Sequence, residues 1–309
     1  MNTPSDAVPN AFPVRAVAPR AISETQRLYW SVRRELWENR SIYLAPMAVA
    51  VLFLFGFFIS LFHLADKARA IPATDPMRWY EFIERPYTLA ALLIMGATLI
   101  VGWIYCLDAL YGERRDRSIL FWKSLPVSDL ITVLSKASIP IIVLPLITFA
   151  VTIALWIVVL LLSSAVLLRS GGSLANAGPH PSFFQMSLLL LFHLFGLHGL
   201  WWAPIWGWLL MVSAWARRAP FLWATLPLFA IGVVEKLVFN TSHFASMLGL
   251  RFSGGGQMSG SKATGMSIAM LNHQTFGEFL LSPGLWIGLA ICAAFLATAV
   301  RLRRYREPI

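Results

Sequence analysis

Six stretches of the chain stay apolar for about the 20 residues that a membrane-crossing helix needs. They are Ile42–His63, Tyr87–Leu110, Ala137–Leu168, Phe183–Ala216, Ala219–Val234 and Ser282–Val300. The fifth is short, and Leu237–Phe239 completes it past the charged pair Glu235–Lys236. None alternates apolar and polar residues, so the pattern predicts helices rather than barrel strands. Two stretches exceed one straight crossing. A continuous helix over Ala137–Leu168 would extend about 48 Å, and Pro140 and Pro145 offer places to bend. Phe183–Ala216 carries Gly196, Gly199, Pro204 and Gly207, which predict a bent or broken helix.

The polar gaps give a direction. Seventeen of the 25 Lys and Arg residues lie in 1–41, 111–136, 217–218 and 301–309; the other eight lie in 64–86, 169–182 and 235–281. The positive-inside rule then places both termini in the cytoplasm, as an even number of crossings requires. Of the 309 residues, 58% are apolar and 13% charged, against about 45–50% and about 25% in soluble domains. That balance excludes a soluble enzyme, a disordered chain and a nucleic-acid-binding domain, despite the net charge of +10. Residues 1–22 hold no apolar core, so no cleavable signal is expected and the first span acts as the membrane address. Cys106 and Cys292 sit inside apolar runs and read as core residues.

Two polar segments have structure of their own. Ser23-Glu-Thr-Gln26 is a capping-box pattern. The helix it starts sets Leu28, Val32 and Leu36 on one face, with Tyr29, Trp30 and Trp37 beside them and Arg27, Arg33, Arg34 and Glu35 as polar contacts. Such a helix either lies along the membrane surface or packs on another protein. Between spans two and three runs Tyr111-Gly-Glu-Arg-Arg-Asp-Arg-Ser-Ile-Leu-Phe-Trp-Lys-Ser-Leu-Pro-Val-Ser-Asp129. Asp116 is placed to cap a short helix whose apolar side chains include Ile119, Leu120, Trp122 and Leu125, and Pro126 disfavours helix at Leu125. Ser128 or Asp129 then caps the helix into span three. Apolar knobs with charged shoulders suit either a partner's groove or lipid headgroups.

The run from Leu110 to Ser128, followed by Lys136, resembles the second span and coupling helix of bacterial ABC transporter permeases of the type-2 (exporter) family. Glu113, Arg114, Pro126, Ser128 and Lys136 match its pattern of an acidic-basic pair, a short helix and a Pro-x-Ser turn. The likeness extends to Ser213–Trp223 and to the closing span from Ser282 with its arginine tail. The resemblance implies an all-α integral membrane protein: a cytoplasmic segment 1–41 with an amphipathic interfacial helix, and a six-helix permease domain 42–309 with a cytoplasmic coupling helix between spans 2 and 3. It implies a bacterial inner-membrane subunit that pairs with a second permease, as a homodimer or with a close paralogue. Two separate cytoplasmic ATPase subunits would hold the ATP and Mg, with no cofactor on this chain, and lipid would surround it. On that reading Ile119, Leu120, Phe121 and Trp122 supply the packed contact, while Glu113, Arg114, Arg115 and Arg117 set its orientation.

Other constellations compete less well. Gly255–Lys262 misses a phosphate-binding loop because its lysine falls one place late. His193 and His198, five residues apart, would point about 140° apart on an α-helix, which does not suit a shared metal. The cluster Trp201, Trp202, Trp206 and Trp208 reads as an interface belt or packed core. Asp108 reads as a structural ion pair or a gating group, and Glu235 as a gate or a satisfied boundary charge. The alternative function is a secondary transporter or channel that couples to ions through Asp108 or Glu235. The segment 235–281 holds either short helical caps or a disordered loop.

Overall fold

The computed structural model describes residues 23–64, 66, 70, 76–124, 127–169, 183–252 and 276–306. The capping-box helix α1 spans Glu24–Glu38, and the Ser23 hydroxyl accepts from the Gln26 N–H at 3.3 Å. Helix α2 (Ser41–Leu61) follows, then α3 (Pro76–Asp108), α4 (Tyr111–Arg115) and the short α5 (Ser118–Ser124). Helix α6 (Asp129–Ser138) begins at Ser128, whose hydroxyl accepts from the Ile131 N–H at 3.3 Å. A π turn over Ile139–Val143 joins it to α7 (Leu144–Arg169). Helix α8 (Phe183–Phe192) passes into a second π turn, His193–Trp201, before α9 (Ala203–Trp215). The remaining elements are α10 (Pro220–Phe239), α11 (His243–Phe252), α12 (Phe276–Leu281) and α13 (Pro283–Tyr305). No strand occurs among the described residues.

Six helical stretches are long and apolar enough to cross a membrane: Ser41–Leu61, Glu81–Arg115, Asp129–Val166, Phe183–Trp201, Pro220–Phe239 and Pro283–Tyr305. They correspond to the six apolar runs with shifted ends. The third differs in kind from a proline kink, because the bend at Pro140 is a π turn that carries the ring within a wider helical loop. The fourth breaks at Trp202, and Pro204 then opens α9 where its missing N–H removes no helical bond. The two π turns touch. A side chain at Gly199 would meet the Ile141 carbonyl oxygen at 2.8 Å, so only glycine permits this approach.

The core forms two adjoining apolar clusters. One centres on Tyr105, Trp202, Trp206 and Leu210, the other on Tyr87, Ile94, Trp156 and Val159. The Trp156 indole donates to the Tyr87 carbonyl at 3.0 Å, which satisfies its one polar atom. Helix α10 stands apart, with only Ala224 buried. An apolar surface of that kind is stable against lipid rather than water.

Candidate functional site

At one end of the bundle, three cations meet three carboxylates. Lys136 Nζ lies 2.9 Å from Glu35 Oε1 and 3.1 Å from Glu113 Oε1, bridging α6 to both α1 and α4. Arg34 Nη2 adds contacts at 2.8 Å to Glu35 and 3.4 Å to Glu113. Arg303, near the end of α13, pairs with Glu113 Oε2 and reaches Asp129 Oδ1 at 3.1 Å. Tyr105 of α3 donates its hydroxyl to Glu35 Oε2 at 2.9 Å. Glu35 is 1% exposed and Lys136 2%, so this is a buried network that fastens the described start and finish of the chain together. Burial alone would raise the Glu35 pKa, but Lys136 and Arg34 outweigh it and hold the carboxyl below its ordinary value.

A second anchor lies beside it. The Ser213 hydroxyl accepts from the backbone N–H of Leu110 at 3.0 Å and of Tyr111 at 2.9 Å, where α3 gives way to α4. In return, Arg114 Nη2 donates to the carbonyls of Ser213 and Ala216 at the end of α9. Those carbonyls are among the last of a helix and have no intrahelical donor.

These anchors place the expected coupling residues on two sides. Glu113, Arg114 and Ile119 are buried within the chain, where the resemblance has Ile119 in the packed contact and Glu113 and Arg114 setting its orientation. Glu113 and Arg114 turn inward because opposite charges and orphan carbonyls wait there, and Ile119 packs near Leu110 and Ala214. Arg115, Arg117, Leu120 and Phe121 face outward. Arg117 has φ 57°, a left-handed turn that separates α4 from α5. Asp116 sits at the C-terminal cap of α4 instead of starting α5. Leu125, Pro126 and the side chain of Trp122 lie outside the described residues, as do 1–22 and Gly255–Lys262. Ser128 serves as the cap described above.

Asp108 and Glu235, each weighed as a gate or a structural charge, both have polar partners. Asp108 is exposed, 3.9 Å from Arg115. Glu235 accepts from the backbone N–H of His243 at 2.6 Å and of Phe244 at 2.9 Å, and from the Thr241 hydroxyl at 2.9 Å. Its carboxylate therefore caps α11 across the left-handed turn at Asn240. No sequence signal announces this, because the cap lies eight residues before the helix it serves. Glu235→Ala is expected to speed amide exchange at His243 and Phe244 while leaving α10 protected. Hydrogen exchange read by mass spectrometry measures it, and unchanged exchange there would refute the capping role.

The histidine geometry also departs from expectation. The π turn widens the helix, and the rings of His193 and His198 come to 5.0 Å rather than opposite faces. Among the described residues, no group of three or more His, Cys, Asp and Glu is placed to hold a metal. Arg303 and Tyr105, both central to the network, are the residues that sequence reasoning missed. The arginine tail was visible, but nothing local points Arg303 at Glu113, 190 positions away.

No family model, no curated protein and no solved structure matches this chain.

Proposed function

We propose that this protein is the membrane-spanning permease subunit of an ATP-driven ABC exporter. It would work as a dimer with a second permease subunit, coupled to two cytoplasmic ATPase subunits that hold ATP and Mg. The end of the bundle bearing the charge network then faces the cytoplasm of a bacterial inner membrane, with α1 along the membrane surface. The observation that carries this reading is the mounting of α5. Leu120 and Phe121 are 59% and 60% exposed, while Ile119 in the same turn is buried. The segment just before that exposed apolar turn is fixed by Glu113 and Arg114 to α6, α9 and α13. A push on α5 would therefore reach several spans at once, which a motor on a separate chain needs. A loop resting on lipid headgroups has no use for such buried fastening.

The test is whether the neighbouring reading frames encode a Walker-motif ATPase and whether that ATPase co-purifies with this chain. Leu120→Asp with Phe121→Asp is expected to release it, since truncation of central interface anchors costs above about 2 kcal/mol, or about 30-fold in affinity. Full retention of the ATPase by a variant that melts normally would overturn the proposal.

A further inference from the structure

The outer face of α1 is built from one kind of chemistry. At about 100° per residue, Gln26, Tyr29, Trp30, Arg33 and Trp37 fall within about 100° of arc. All five are exposed, Trp30 and Trp37 at 57% and 69%. The acids of the helix lie elsewhere: Glu24 and Glu38 fall off this arc, and Glu35 is buried in the charge network. Val32 and Leu36 pack against the core. The helix thus turns aliphatic side chains toward the protein and aromatic ones, with a cation, outward.

The cation is held in place. The Arg33 guanidinium lies over two indoles, 5.1 Å from the ring centre of Trp30 and 5.0 Å from that of Trp37. Tyr29 meets Trp30 edge-on at 5.6 Å. A ring face attracts a cation, and a stacked guanidinium keeps N–H donors in its own plane for phosphate oxygens.

This face runs on toward the first span. Asn39 and Arg40 alone separate α1 from α2. Arg40 is exposed, and α2 then presents Leu44, Met47 and Val51 outward. The last turn of α1 is therefore tethered at the membrane boundary. Trp and Tyr favour the headgroup level there, being apolar in body and polar at one end. The cytoplasmic leaflet carries anionic lipid, which attracts basic side chains beside a span.

We propose that the aromatic and arginine face of α1 is a docking surface for anionic phospholipid of the cytoplasmic leaflet. The Arg33 guanidinium donates to the lipid phosphate, and Trp30 and Trp37 sit at headgroup level on either side of it. The proposal rests on the placement of α1 along the membrane surface given above, and on nothing about a motor.

The experiment uses the purified full chain in dodecyl maltoside without any ATPase, so its failure is distinct from failure of the coupling proposal. Phosphatidylglycerol and phosphatidylcholine with the same acyl chains are titrated, and bound lipid is read by native mass spectrometry. Tighter binding of phosphatidylglycerol is expected. Arg33→Gln should weaken it about fivefold, as loss of one basic side chain near an anionic headgroup implies, and leave phosphatidylcholine unchanged. Absence of the preference, or its persistence in Arg33→Gln, would overturn the proposal. Equal weakening by Arg217→Gln, an exposed arginine outside α1, would reduce it to general charge attraction and overturn the docking surface. A second measurement places the face in a bilayer. In phosphatidylglycerol nanodiscs, the emission lost on Trp30→Phe with Trp37→Phe should be quenched more by lipid brominated near the headgroup than by aqueous iodide. The reverse order would leave the face in water and overturn the proposal. Loss of ATPase retention in Arg33→Gln with lipid binding intact would assign the face to a protein instead.

Discussion

Replacing Lys136 with methionine should destabilise the protein by about 3–5 kcal/mol, the loss typical when one partner of a buried ion pair is removed. Lys136 is shared between Glu35 and Glu113, and Arg34 is the other cation within 4.0 Å of Glu35 among the described residues. Its removal leaves three carboxylates facing Arg34 and Arg303 in a site that excludes water. A thermal-shift assay in detergent measures the effect. The double variant Glu35→Met with Lys136→Met should recover most of it, because Arg34 and Arg303 then balance Glu113 and Asp129. A double variant as unstable as the single one would show that packing, and not charge, is the cause. The same network predicts an acid limit. The Glu35 carboxyl is held below its ordinary value of 4.5 in the folded state, so it contributes stability above that pH. This contribution is lost as pH falls through the lowered folded value. Melting should therefore hold steady from neutral pH down to about 5 and drop below about 4.5, and a flat profile there would refute the assignment.

Arg114→Met should cost about 2 kcal/mol or more, since it strips two buried carbonyls of their donor at about 1–3 kcal/mol each. Those carbonyls, of Ser213 and Ala216, close the cytoplasm-facing end of α9 on the proposed orientation. Arg114→Lys should fall between, because an ammonium can still donate to both oxygens that Nη2 serves but sits on a shorter stem that must move to reach them. The functional consequence is separable from stability. On the transport reading, α5 would still present Leu120 and Phe121 in the methionine variant, so the ATPase would bind. Its strokes would no longer be passed to α9, and transport per ATP hydrolysed would fall. Measuring ATPase retention and cargo transport on one preparation separates the two, and transport falling only in step with retention would count against the lever.

Much of this architecture was legible in the order of residues. The six spans followed from apolar length, and the starts of α1 and α6 followed from Ser23 and Ser128. The short helix after span two followed from its apolar turn and charged flanks. Each of these is decided within a few residues, where propensity, capping and solvation act. What the sequence could not decide was direction. Spans that are apolar nearly all round carry no periodic mark of which face meets a neighbour. Glu113 and Arg114 therefore read as outward shoulders and Ile119 as an outward knob although all three turn inward, and Glu235, open between a gate and a satisfied boundary charge, caps α11. His193 and His198 read as opposed because the spacing was counted on an α-helix. The tertiary fold decided otherwise, since Gly199 against the Ile141 carbonyl lets the two π turns lie together. Local chemistry thus determined which elements exist. Long-range pairing alone, between residues up to 190 positions apart, decided which charges brace the fold.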